Sequence, residues 1–132
     1  MRMRGDRTGV DLDKPSQLQL LKSYFNAKHF FPHSRIEVTE TGHGNHIRIH
    51  HKCPSIEKNL DIRRNLGDDP NRLMFDENRK VHPLLHDWVD TLFSVKLDRG
   101  KLTAEEPCNI LSLPFTSKLP CRKNYSRRDV KK

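Results

Sequence analysis

Residues 34–51 read SRIEVTETGHGNHIRIHH, two runs of alternating polar and apolar residues on either side of Gly42 and Gly44. Wound into a helix, a period of two would scatter its apolar side chains around the axis, so the segment is expected to form strands. Ser34–Thr39 and His46–His51 then make a β-hairpin about the turn Thr41–Asn45. Such a hairpin has two unlike faces. Ile47 and Ile49 lie on one, and His46, Arg48 and His50 on the other. The isoleucines need cover. With 33% hydrophobic and 32% charged residues, the chain has material for one thin core. Its 132 residues fit a single domain on the usual scale of roughly 100–200 residues.

The cover comes from the flanking segments. Thr8–Asp13 reads as a strand, and Lys14–Lys28 as a helix with Pro15 in its first turn. Leu18, Leu21 and Phe25, with Tyr24 as a neighbour, form the expected inward stripe of that helix. After Pro54 a second helix, Ser55–Leu66, turns Ile56, Leu60 and Ile62 or Leu66 inward, and Gly67 suits the position just past its end. Arg72–Asp76 reads as a short apolar strand ending in a carboxylate. The order is βαββαβ, an α+β fold of the RRM-like or ferredoxin-like kind. Asp90–Leu97 is expected to add one more strand, and residues 98–117, punctuated by Gly100, Pro107 and Pro114, to be irregular.

Charge divides the chain into a body, residues 1–117, and a basic flexible tail, residues 118–132. The tail holds seven cations against Asp129 alone, a surplus of six out of a net +8. A basic tail on a near-neutral body suits nucleic acid as a partner, although a solvated tail that only aids solubility has the same composition. No apolar run has the length of a membrane span, and the basic N-terminus lacks the apolar stretch of a signal peptide. Cys53, Cys108 and Cys121 are odd in number and lack CxxC spacing. That points to a reducing, cytoplasmic setting and away from a disulfide framework or zinc ribbon.

Asp11 and Asp13 share a strand face, where two carboxylates repel unless a cation lies between them. Oxygen ligands of this kind suit Mg²⁺ or Mn²⁺. The plain alternative makes Asp13 the N-cap of the following helix and Asp11 a solvated strand end. His46, Arg48 and His50 share their own face, which is an ordinary polar outer face if the carboxylates lie elsewhere. Asp68 and Asp69 before Pro70 look like turn residues. Asp76 is either a third metal carboxylate or a strand-end turn residue.

Taken in order, Val10-Asp11-Leu12-Asp13, Gly44-Asn45-His46 and Phe75-Asp76 resemble the signature of the archaeo-eukaryotic primase and primase-polymerase superfamily: DxD, small-x-His, apolar-Asp on an RRM-like core. The run GHGNHIRI is similar to the glycine-histidine turn of many members, and the likeness spans roughly residues 9–96. The resemblance implies Asp11, Asp13, His46 and Asp76 as catalytic residues. Asp11, Asp13 and Asp76 would hold Mg²⁺ or Mn²⁺ for nucleotidyl transfer, with His46 near the nucleotide phosphates. Arg48, His50, Arg72, Lys118, Arg122, Lys123, Arg127 and Arg128 are the expected contacts to nucleotide or nucleic acid. The module that normally flanks this core in the family is missing. That implies either a partner protein that supplies it or a relative that keeps the site and primes nothing alone. If the first and third strands ran parallel, Asp11 and Asp13 would lie nearer His50 than His46.

Two other functions compete. A non-enzymatic nucleic-acid binder on an RRM-like sheet explains the tail but lacks RNP-type aromatics. A replication-initiation nuclease of the HUH type needs two histidines separated by one apolar residue. Here His46 and His50 are four apart, and His50 and His51 are adjacent, so Tyr24 and Tyr125 have no matching partner motif.

Overall fold

The computed structural model describes residues 5–93, 95–98 and 100–108. Arg7–Asp13 (β1) leads into Gln17–Phe30 (α1), which returns the chain to Arg35–Glu40 (β2). A tight turn follows, in which Thr41 N–H donates to the Gly44 carbonyl at 2.8 Å, and then Gly44–His50 (β3). β3 lies between β1 and β2 and runs antiparallel to both. This corrects the parallel arrangement considered for the first and third strands: β1 and β3 are antiparallel, so His46, not His50, lies opposite Asp11.

Ile56–Asn65 (α2) and Pro70–Arg79 (α3) come next, then a 3₁₀ turn at His86–Trp88, a hairpin of Val95–Asp98 (β4) and Lys101–Ala104 (β5), and Glu106–Pro107 (β6). β6 pairs antiparallel with the end of β2, giving one four-stranded sheet in the order β1-β3-β2-β6. The fold is therefore α+β, an antiparallel sheet with three α-helices among the described residues.

The core forms where the alternation demands it. Val10 and Leu12 of β1, Ile47 and Ile49 of β3 and Val38 of β2 meet Leu20, Tyr24 and Ala27 of α1 and Ile62 of α2, with Leu66 just beyond it. Both helices thus cover one sheet face, and the Ser23 hydroxyl ties them by donating to the Leu66 carbonyl at 2.7 Å. The inward stripe of α1 differs from the expected one. Leu20, Tyr24 and Ala27 at i, i+4 and i+7 face the sheet, while Leu18 and Phe25 stay 70% and 52% exposed. Ser16 sets this phase: it caps α1 in a reciprocal capping box with Gln19, so that the helix starts three residues later than expected.

The expected strand at Arg72–Asp76 is a helix. Asp69 caps it by accepting from Asn71 N–H, and Pro70 occupies the first helical turn. Among the described residues no strand covers the outer edge of β1. Its backbone groups are met by side chains instead: Asp90 accepts from Gly9 N–H at 2.9 Å, Arg72 donates to Gly9 C=O at 2.9 Å, and Asp68 accepts from Asp11 N–H at 2.7 Å. The Asp69 amide adds a bond to the Asp11 carbonyl at 2.9 Å. The strand expected at Asp90–Leu97 is confined to Val95–Asp98, and part of the stretch expected to be irregular forms β5 and β6. Cys53 is a free buried thiol. Among the described residues no helix is long and apolar enough to cross a membrane.

Candidate functional site

Directly opposed residues in antiparallel strands project to the same face. The register therefore builds rows on the sheet face that the helices leave free. Asp11, His46 and Thr39 form one row, Gly9, Arg48 and Glu37 the next, and Arg7, His50 and Arg35 a third. Asp13 lies at the end of this face, opposite Gly44. Two sites singled out in the sequence, Asp11 and His46, thus meet across β1 and β3, with His46 Nε2 3.6 Å from Asp11 Oδ1.

A residue that sequence reasoning missed completes this row. Glu105, between β5 and β6, accepts from His46 Nδ1 at 2.7 Å. It also takes a fork of two bonds from Arg48, Nη1 to Oε1 and Nη2 to Oε2, the latter at 3.1 Å. Burial alone would raise the Glu105 carboxyl, but the hydrogen bonds from Arg48 and His46 and the charge of Arg48 outweigh it and hold it below the ordinary value. His46 is pulled the other way. Burial lowers its pKa, and the attraction of Asp11 and Glu105 only partly restores it. Nδ1 meets the Glu105 carboxylate and Nε2 faces Asp11. Farther along the strand His50 lies 3.2 Å from both Glu37 and Arg35. Nothing in local spacing marks Glu105, because it reaches His46 from 59 residues away.

The other expected site residues divide into three groups. Asp13 is exposed and is not a helix cap, since Ser16 has that role. Asp76 is fully buried on α3 with both oxygens engaged, Oδ2 by Arg63 at 2.8 Å and the Asp90 amide at 3.0 Å, Oδ1 by Arg79 at 2.9 Å. Arg72 belongs to the same buried network, bonding Asp68 at 3.0 Å and Asp90 at 2.5 Å as well as Gly9. Arg63, wholly buried, joins Asp68 at 2.8 Å and Asn59 at 3.0 Å. Burial raises the pKa of Asp68, against the pull of Arg72 and Arg63. These residues seal an edge, and Arg72 directs its guanidinium inward. Lys118, Arg122, Lys123, Arg127 and Arg128 lie outside the described residues.

A cation fits only part of the expected ligand set. Asp11 and Asp13 share a face and a strand end, and Asp11 keeps 24% of its side chain exposed. Asp76 is already neutralised by two guanidinium groups. Among the described residues no group of three or more His, Cys, Asp or Glu side chains is gathered as a metal cluster. Beside Asp13 a cleft of about 280 Å³ opens between α1 and the end of α2, lined by Leu12, Gln19, Lys22, Asn26 and Arg64 among others. No known protein family, curated protein or solved structure matches the chain.

Proposed function

We propose that this chain is a primase-polymerase-like protein with an RRM-like core that binds nucleotide or nucleic-acid phosphates through Mg²⁺ or Mn²⁺ held at Asp11 and Asp13. The observation that carries this is the register placing Asp11 opposite His46, which brings the DxD and small-x-His elements onto one face. Strand order supports the RRM-like reading as far as β1-β3-β2 with α1 as the crossover; the final strand of that topology is replaced by α3 and the edge network. With Asp76 held by Arg63 and Arg79, the site keeps two of three carboxylates. Binding is accordingly the proposed activity of the isolated chain, and nucleotidyl transfer would need a partner protein that completes the site.

The cation would neutralise phosphate charge. Asp11 and Asp13 would hold it, Lys22 in the neighbouring cleft offers a further positive contact, and the seven cations of the tail would add phosphate contacts along nucleic acid. The alternative of a stacking RRM sheet is less favoured, because the Asp11, Arg48 and His50 rows contain no Phe, Tyr or Trp.

Thermal melts of the wild type and of Asp11→Asn/Asp13→Asn, with and without Mn²⁺ and a nucleoside triphosphate, test the reading. Mn²⁺ at about 100 times its Kd should stabilise the wild type by about 2.7 kcal/mol and leave the double variant unshifted. Equal shifts in both proteins, or none in either, would overturn it.

A further inference from the structure

We infer that His46 is itself a metal ligand, sharing a divalent transition-metal ion with Asp11, and that Glu105 is the positioning residue that aims its Nε2. This rests on the cation reading above and deepens it. It replaces an all-carboxylate site by a mixed nitrogen and oxygen site, and so names which ions the protein should prefer.

Two features carry the inference. Metal-bound histidines almost always donate their second N–H to a carboxylate or carbonyl. His46 does this through Nδ1 to Glu105 at 2.7 Å, and Glu105 is in turn clamped by Arg48. The imidazole is 1% exposed and cannot swing away. Next, Nε2 and Asp11 Oδ1 are 3.6 Å apart, too far for a hydrogen bond. With the proton on Nδ1 both are lone-pair donors facing one another, an arrangement that an intervening cation relieves. Two donors of one tetrahedral ion, each about 2.1 Å from it, stand roughly 3.4 Å apart, close to the observed spacing. The local charge agrees, since Asp11 and Glu105 outnumber Arg48.

An imidazole ligand favours Co²⁺, Ni²⁺ and Zn²⁺, with Mn²⁺ the weakest of the transition ions, and Mn²⁺ serves as the spectroscopic probe. With two protein ligands the site keeps open positions, which phosphate oxygens would fill.

The full chain, stripped with chelator, is titrated with Mn²⁺ and read by pulsed electron paramagnetic resonance without nucleotide. The expected result is a ¹⁴N coupling to bound Mn²⁺ in the wild type, lost in Asp11→Asn. Glu105→Gln should bind about 10–100-fold more weakly, with an unchanged circular dichroism spectrum. Mn²⁺ bound without ¹⁴N coupling, and equally well by His46→Gln, would overturn this inference and leave the carboxylate site standing. Coupling that persists in His46→Gln would assign the nitrogen to another histidine and also overturn it. Coupling as expected with no nucleotide binding would sustain His46 as a ligand and sink the nucleotide reading instead. The wild-type spectrum needs no variant to fold.

Discussion

Gly44→Ala is the sharpest perturbation the sheet offers. Gly44 lies opposite Asp13 at the end of the β1–β3 ladder, with the Lys14 amide bonded to the His43 carbonyl at 2.7 Å beside it. A methyl group at this position would overlap the Leu12 carbonyl oxygen and stand 2.9 Å from its carbon and 3.2 Å from Asp13 Cα. Carbon atoms rest about 3.5–4.0 Å apart, so the two backbones must separate by roughly 0.6–1 Å at least. No side chain can move aside, because every clashing atom is main chain. The end of the β1–β3 ladder has to open, and Asp11 and Asp13 lose their register against His46. Overpacking usually costs about 1–3 kcal/mol, and a backbone clash belongs at or above the top of that range, so a loss of at least ~3 kcal/mol is expected. Gly42, two residues away in the same turn, is the control: a methyl group there would meet nothing within 4 Å, and Gly42→Ala is expected within about 0.5 kcal/mol of wild type. Urea unfolding of both variants measures the difference. Equal midpoints would refute the close approach, and with it the packing reason for a small residue two before His46.

Three further outcomes follow from the core and its charges. Asp90→Ala strips Arg72, Asn59 and the Gly9 amide of one acceptor and should cost about 3–5 kcal/mol in urea unfolding; a loss below about 1 kcal/mol would mean that the edge of β1 does not depend on it. Leu20→Ala should cost about 2–5 kcal/mol and Leu18→Ala less than about 0.5 kcal/mol, and a reversal of that order would reinstate the other stripe of α1. His46 and His51 are both held below their ordinary value of 6.5, chiefly by burial, so the native state resists protonation that the unfolded chain accepts. That stability is present above about pH 6.5 and is lost as the pH falls through the lowered native values, so the urea midpoint in chelator should drop between pH 7.5 and 5.5; a flat profile would contradict it.

Period and capping made much of the sheet and two helices legible. The isoleucines of β3 alternate without interruption, and Gly67, with φ of 82°, ends the α2 region as a left-handed residue. Reading failed where a signal had two meanings. Leu73-Met74-Phe75 looks like a buried strand, yet Met74 and Phe75 are each 52% exposed and the charged Asp76 beside them is fully buried. The decisive signal was Asp69-Pro70, which starts a helix as readily as a turn. On α1 the stripe was misphased because Leu18, Leu20 and Leu21 fit either face until Ser16 is known to be the cap. The meeting of Asp11 and His46 became visible only once the strands were known to be antiparallel. Glu105, Asp68 and Asp90 were not legible as partners, because each acts on a strand far away in sequence.

The sealed edge of β1 also sets an order of events in time. Its bond from Gly9 to Asp90 spans 81 residues, and His46 waits for Glu105 across 59, whereas the hairpin of β2 and β3 closes locally. Local contacts form early and distant ones late. On a ribosome adding roughly 5–20 residues per second, the stretch from Leu66 to Asp90 takes on the order of 1–5 s. Through that interval the nascent chain holds every buried residue of its main core cluster but has a bare strand at both borders, β1 and β2, open to pairing with any other extended chain. Slowed translation or a stalled ribosome within this window thus prolongs the exposure of unpaired strand edges.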